Sequence, residues 1–416
     1  MVVPPTVRFW NSFPAFLSYQ THARLRSSWC DEGRPPNNSP EEIVTVSVEF
    51  IGYVGHFNSS ESVRRTGPAV DVPYIEAMAK AQEYVGFDRV LVAFHSNSAE
   101  SVLIGQHIAH VTERLGLMIA HRPGFTQPTL AARQLATLDQ FSKGRVAVHI
   151  ITGGDDAELA QDGDHLTKDE RYARASEYLD VVRQEWTATA PFDYAGKYYN
   201  VVRGYGDVKP YRPDGIPVFF GGASAAAIPV AGKHADVYAL WGETYDQVRE
   251  LVGRIRAAAA PYGRSPRFSL SLRPVLADTE EKAWAKAEDI LARAKALRAA
   301  GGSGRSPNNA RAARGDAPPP NEGSRRLLAA AAQGKRLDKY LWTEIAALTG
   351  AQGNSTGLVG TPDQVAEALL DYYDLGVSTF LIRGFDPLED AIQYGQELLP
   401  RVRELVVARK AGRSAA

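Results

Sequence analysis

The residues 220–227, FGGASAAA, set two glycines and a serine between a short apolar run and what should be a helix start. Glycines let the main chain come close to a ligand. A serine hydroxyl there can cap the helix while neighbouring N–H groups face an anion, so the turn suits a phosphate. A second polar cluster, Thr152-Gly153-Gly154-Asp155-Asp156, follows the apolar run VAVHII. His56 lies in the polar stretch GYVGHFNSSESVRRTG, and His95 and Ser98 lie in HSNSAES, directly after RVLVAF. An imidazole titrates near neutrality and can take and return a proton, whereas Ser98 can only donate or accept a hydrogen bond. His107 and His110 form an H-x-x-H pair with no third ligand in an obvious place, which suits a solvent-facing pair better than a metal site. Residues 222–226, GASAA, lack the last glycine of G-x-S-x-G, and the available histidine, His234, follows Ser224 too closely for a serine hydrolase. There is no G-x-G-x-x-G after a strand and no G-x-x-x-x-G-K-[ST], so no dedicated nicotinamide or nucleoside-triphosphate domain is visible.

These residues need a scaffold, and the stretch 121–156 shows its repeating unit. Leu130, Ala132, Leu135, Ala136, Leu138 and Phe141 recur at helical spacing, which predicts a helix over 129–141 closed by Ser142-Lys143-Gly144. VAVHII is too apolar for a half-exposed strand and reads as one covered on both faces. With LGLMIAH before it, the helix and strand make a right-handed βαβ unit, and the polar residues gather where parallel α/β folds carry ligands.

Taken in order, the chain predicts strands at 44–51 (VTVSVEFI), RVLVAF, LGLMIAH, VAVHII, IPVFFGG, ADVYAL, FSLSLRPVLA and STFLIRG. Helices are predicted between them, with a hairpin-like excursion at FDYAGKYYNV. This alternation predicts a TIM (β/α)8 barrel with insertions, spanning 44–410. Residues 1–43, broken by prolines and without periodicity, read as a disordered tail or a start assigned too early, and 411–416 as a short tail. The segment 294–326, rich in Gly, Pro, Asn and Arg, reads as a mobile, lid-like insertion whose Arg305, Arg311, Arg314, Arg325 and Arg326 could meet an anion.

A formal net charge of -1 over 416 residues lacks the basic balance that nucleic-acid backbones require, and no apolar run reaches the length of a membrane span. The single cysteine, Cys30, excludes an intramolecular disulfide and suits a cytoplasmic protein.

Four phrases in order, HRPGFTQPTLAARQLATLDQFSKGRVAVHIITGGDD, DGDHLTKDERYARASEYLDVV, VFFGGAS and YALWGE, resemble the bacterial-luciferase-like FMN-dependent monooxygenases, and within them the alkanesulfonate monooxygenases. The resemblance implies reduced FMN as co-substrate, supplied by a separate NAD(P)H-dependent flavin reductase, with O2 and a small organic substrate as the other reactants. In the alkanesulfonate group it implies C–S cleavage to an aldehyde and sulfite, and a homodimer or homotetramer. It places His149, Thr152, Tyr172, Gly221, Gly222, Ala223 and Ser224 at the flavin. Arg273 becomes the candidate anion clamp, and His56, His95 and Ser98 the catalytic candidates around it. The substrate side departs from the pattern. Ser98 stands for a cysteine, Ser271 and Arg273 for an Arg-x-His pair, Phe385 for a tyrosine and Thr349 for a loop arginine. Other readings are a luciferase-like enzyme acting on another organosulfur or alkane-type compound, a deazaflavin-dependent oxidoreductase, and a flavin-binding protein without turnover.

Overall fold

A computed structural model describes residues 48–301, 319, 321–351, 353 and 355–414. Eight parallel strands close on themselves: β1 (Glu49–Val54), β2 (Arg89–Val92), β3 (Gly116–His121), β4 (Val146–Ile150), β7 (Val218–Gly221), β8 (Val237–Trp241), β9 (Arg267–Leu276) and β13 (Val377–Ile382). Each pairs with the next, and β13 returns to β1, so no barrel edge is left open. This is the expected TIM barrel. Between β4 and β7 runs the expected hairpin, β5 (Phe192–Ala195) and β6 (Asn200–Gly204). An unexpected strand, β12 (Gly357–Gly360), continues parallel along the second half of β9, and carries β10 (Arg336–Leu337) and β11 (Leu341–Trp342) outward.

Helices wrap the barrel where periodicity placed them. Helix α3 (Pro128–Ser142) ends on Lys143 in the left-handed conformation, followed by Gly144 at φ 81°, and its buried face is Ala131, Ala132, Leu135, Ala136 and Leu138. Helix α5 (Lys168–Thr187) starts on a capping box in which Thr167 and Glu170 satisfy each other's backbone N–H groups. The expected start of β1 at Val44 falls outside the described residues, and the strand, expected to end at Ile51, runs on past Gly52 to Val54. It can do so because Gly52 has no Cβ: one placed there would stand 1.6 Å from Gln82 Oε1, which accepts from Tyr53 N. The insertion expected over 294–326 is shorter at both ends, since α8 (Glu280–Ala299) is helical to Ala299 and α9 (Glu322–Gln333) begins at Glu322. The proposed tail 1–43 and Arg305, Arg311 and Arg314 lie outside the described residues.

Strand alternation sorts the barrel interior into layers. At the N-terminal end Glu49 binds Arg89 at 3.1 Å, with Thr379 and Arg267 also on its carboxylate. Above it Ile51, Leu91, Met118, Ala147, Phe219, Val237 and Leu381 form a closed apolar layer. One step further, alternation aligns Tyr53, Ala93, Ala120, His149, Gly221, Ala239, Ser271 and Arg383. Most of this layer is partly accessible, because five of its eight members carry a side chain no larger than serine's. The interior is therefore solid at the bottom and hollow at the C-terminal mouth.

His121 and His234 are buried, hydrogen-bonded to Tyr178 Oη at 2.6 Å and to Ser176 Oγ at 3.0 Å, and burial pulls their pKa values down to about 4 and about 3. A histidine held neutral contributes stability above its unfolded pKa of about 6.5, and that contribution is lost as pH falls toward the folded value. We expect urea unfolding to weaken by about 1 kcal/mol per histidine for each pH unit below pH 6. The His121→Gln, His234→Gln double variant should flatten the profile, and an unchanged slope would contradict the assignment.

Candidate active site

The hollow mouth divides into three sectors. The first lies at the ends of β4 and β7. His149 points inward from β4, and a methyl on Gly221 would stand 4.0 Å from its ring. Its Nδ1 is out of contact with water and has no hydrogen-bond partner among the described residues, and burial pulls the ring's pKa down to about 4 against the opposing pull of a hydrogen bond to the Phe219 main chain. A neutral imidazole with one unpaired nitrogen can bind a ligand that supplies the missing hydrogen bond. Gly222 adopts φ 134°, and a Cβ there would stand 2.5 Å from Tyr172 Oη, so a glycine is required for Tyr172 to pack as it does. Tyr238 Oη donates to Gly222 O at 2.7 Å and fixes the turn. Ser224 Oγ accepts from Ala227 N at 3.3 Å in the turn ahead of α6 (Ala227–His234), whose N-cap position is Ala226 rather than the serine that FGGAS suggested. Ala223 is buried behind the turn. Thr152 is held through its carbonyl, which accepts from Arg171 Nε at 3.1 Å. Arg171, itself 2% exposed, also binds Leu166 O and Asp156.

The second sector crosses the ends of β2, β3 and β4. Arg122 donates to Ser96 Oγ at 2.9 Å and to Glu158 at 2.5 Å, and lies over the rings of Phe94 and Phe125. Glu158, from the short helix α4 (Asp156–Ala160), also meets His95 Nδ1 at 3.4 Å and Ser96 N at 3.3 Å. Burial works to raise its pKa, but the His95 hydrogen bond and the Arg122 charge prevail and hold it well below the usual carboxylate range. His95 is the exposed member, with the geometry of an imidazole backed by a carboxylate. His56 lies close enough to feel its charge: burial, then Arg65, then His95 lower the His56 pKa. Ser98 is used locally, since its Oγ accepts from His95 N and donates to His95 O, both at 2.9 Å. It shapes the loop that presents His95 rather than facing the hollow with a free hydroxyl.

The third sector joins β9 and β13. Arg273 is fully buried, donates to Gly384 O at 2.8 Å, and stacks 3.5 Å from the Phe385 ring centroid. Its Nη1 binds Glu61 Oε2 at 2.5 Å, while Arg383 Nη2 binds Glu61 Oε1 at 3.1 Å. Arg273 therefore stands at the mouth as expected, but its charge already has a carboxylate. Burial pulls its pKa down to about 10 against the opposing pull of Glu61. Ser271 faces the hollow one step below, and the Thr349 hydroxyl donates to Ile345 O within α10 (Glu344–Thr349). The expectation that Arg325 and Arg326 are available to an anion is corrected. Arg326 donates to both oxygens of Glu243 at 3.0 and 2.8 Å and to Glu250 at 2.8 Å, and Arg325 pairs with Glu322.

Sequence reasoning missed Arg122, Glu158, Glu61, Arg383 and Arg171. Arg122 and Arg383 were within its reach, because each directly follows a strand and shares the inward parity of that strand. Glu61 sits on a loop and Glu158 on the short helix α4, and only the folded chain brings them back over the mouth. His107 pairs with Glu76 at 3.1 Å, and among the described residues no three His, Cys, Asp or Glu side chains converge to hold a metal. No helix among the described residues is long and apolar enough to cross a membrane.

Residues 52–379, which take in most of the barrel, the first two sectors and Arg273 of the third, match the luciferase-like monooxygenase family. The chain belongs to that family. Solved structures share the luciferase-like barrel at low identity. Riboflavin lyase (RcaE), with modified FMN and riboflavin, superposes with TM-score 0.67 at 20% identity, over 86% of this chain and 91% of that one. EDTA monooxygenase (EmoA) from Chelativorans sp. BNC1 does so with TM-score 0.63 at 19% identity, over 87% and 94%. An F420-dependent secondary alcohol dehydrogenase with an F420-acetone adduct gives TM-score 0.60 at 16% identity, over 85% and 99%. At these identities the likeness speaks for the fold.

The second sector makes a measurable claim about this luciferase-like mouth. Glu158→Ala leaves the Arg122 guanidinium, whose side chain is 4% exposed, without its anion. The variant should lose about 3 kcal/mol of unfolding free energy, and adding Arg122→Met should recover much of that loss. Additive losses in the double variant would show that the two side chains do not act as a pair.

Proposed function

We propose that this protein is the oxygenating component of a two-component system. It takes reduced FMN from a separate NAD(P)H-dependent flavin reductase, together with O2 and a small alkanesulfonate. Per turnover, R–CH2–SO3⁻, O2 and FMNH2 give R–CHO, HSO3⁻, FMN and H2O. The observation that carries this reading is the set of small side chains at the β4–β7 mouth, Ala120, Gly221 and Ala239, beside the unpaired His149 Nδ1 and the Gly222 turn. Membership of the luciferase-like family supports a flavin in that space.

Flavin, when bound, supplies the reducing electrons and the activation of O2, and the chain's own residues do the rest. His149 would hold one edge of the ring through its unpaired nitrogen. Tyr172, the main-chain N–H groups at Gly221 to Ser224 and Thr152 would frame the remainder, in keeping with a late βα turn as a phosphate seat. The deep apolar layer closes the bottom of the barrel to water, as oxygen activation on a bound flavin would require. His95, oriented by Glu158 and open to solvent, is placed to move a proton between the mouth and bulk water. His56 sits beside it as a second acceptor. Arg273 and Arg383 give the β9–β13 side its positive charge, the side on which a sulfonate would lie.

The test is sulfite release by purified protein with FMN, a generic flavin reductase, NADH, O2 and a panel of alkanesulfonates. Release above the reductase-only control is expected. Reduced FMN bound without sulfite would move the search to other organosulfur or alkane-type substrates, and binding of a reduced deazaflavin in place of FMN would favour an oxidoreductase. Failure to bind any flavin in either redox state would overturn the proposal. Gly222→Ala, whose Cβ would strike Tyr172 Oη, should weaken reduced-FMN binding about tenfold or more in a fluorescence titration, on the scale of one lost charge-assisted contact. An unchanged Kd would place the flavin elsewhere.

A further inference from the structure

The third sector holds more positive charge than its partner answers. Two guanidinium groups, Arg273 and Arg383, share one carboxylate, with Glu61 Oε2 on the first at 2.5 Å and Oε1 on the second at 3.1 Å. Each arginine keeps a buried Nε without a hydrogen-bond partner among the described residues. Aromatic faces support both cations without neutralising them, Phe385 at 3.5 Å from Arg273 and Tyr53 at 5.2 Å from Arg383. Beside them lies a cavity of about 20 Å³ lined in part by Tyr53, Ser59, Ser60, Arg273, Arg383 and Gly384. That is room for about one water-sized group. The loop that carries Glu61 has no helix or strand between Gly55 and Asp71, and its ends are tied where Asp71 N donates to His56 O at 2.8 Å. A loop closed at its base can swing as a unit without disturbing the strand and helix it joins.

We propose that Glu61 is a displaceable counter-ion, and that the oxyanion head of the substrate takes its place on Arg273 and Arg383. Two oxygens would occupy the positions of the Glu61 carboxylate and a third the adjoining cavity, which selects a three-oxygen sulfonate over a two-oxygen carboxylate. The exchange trades one buried carboxylate for another anion while Glu61 moves out to water. Neither state leaves the arginines uncompensated, and burial of a bare guanidinium is the step that would be costly. The site also recognises charge in a way a neutral sulfur compound cannot match. This assignment rests on the sulfonate reading given above, and it identifies the residues that would enforce it.

Isothermal titration calorimetry of the full chain with methanesulfonate, acetate and neutral dimethyl sulfone tests the proposal without flavin. Methanesulfonate should bind more tightly than acetate, and dimethyl sulfone should not bind. Arg383→Gln leaves Arg273 and Glu61 as a balanced pair, so it should fold, and it should weaken methanesulfonate about tenfold or more. Glu61→Gln removes the internal competitor and should tighten methanesulfonate by a similar factor. Should Glu61→Gln fail to fold, methanesulfonate in the refolding buffer should rescue it. Equal binding of the sulfonate and the sulfone, or indifference to Arg383→Gln, would overturn the proposal and leave Glu61 as a permanent structural counter-ion. Sulfite release from a protein that shows no such binding would sink this subsite while sparing the proposed activity. Sulfonate binding without sulfite release would do the reverse.

Discussion

An eight-stranded barrel has too little interior for large side chains at every inward position, and that steric limit organises this molecule. The chain meets it in three different ways along the barrel axis. At the bottom, Glu49 and Arg89 fill the space with an ion pair that also meets main-chain carbonyls, Thr379 and Arg267. In the middle, apolar side chains such as Phe219, Met118 and Leu381 interlock and exclude water. At the top, alanine, glycine and serine leave the interior underfilled, and the few large residues in that layer, Tyr53, His149 and Arg383, form its walls. A site arises here because the packing that stabilises the lower barrel is withheld from the mouth.

The loops above that hollow are stiffened by buried charge. Arg122 with Glu158, Arg326 with Glu243, and Arg273 with Glu61 each fasten a connecting segment to the barrel rim. Such pairs add little net stability, because desolvation offsets the attraction, but breaking one is costly. Their contribution is to fix geometry. His95 is presented by a loop whose main chain, Ser98 hydroxyl and Glu158 partner are all committed before a ligand arrives.

Much of this architecture could be read directly from the residues. The apolar runs VAVHII and VFFGG are strands buried on both faces, and helical spacing in 129–141 predicted α3 to within a residue at either end. The FGGAS turn was legible because glycine and serine act through local backbone geometry. The strand GLVG was missed, since four residues with a glycine at each end carry little periodicity and form a strand only by lying against β9. The charge state of Arg273 was equally hidden. Its partner Glu61 is far away in sequence, on a loop with no pattern of its own, and no local rule links the two. The arginines at 325 and 326 illustrate the same limit from the other side. Composition showed available cations, whereas the fold pairs them with glutamates.

Strand β9 belongs to two sheets in succession. Its first half completes the barrel between β8 and β13, and from Arg273 onward it pairs instead with β12, the inner strand of the outlying β10–β12 extension. Arg273 sits at the changeover, where its N–H donates to Thr356 O at 3.0 Å and its side chain crosses to Gly384 and Glu61. The changeover joins the barrel to the outlying ribbon. A shift in the outlying ribbon, from a ligand, a partner or a change in loop length, would be transmitted through one peptide unit to the guanidinium at the mouth. Lineages that vary the segment ahead of that ribbon could therefore retune charge placement at the site without altering any residue that lines it.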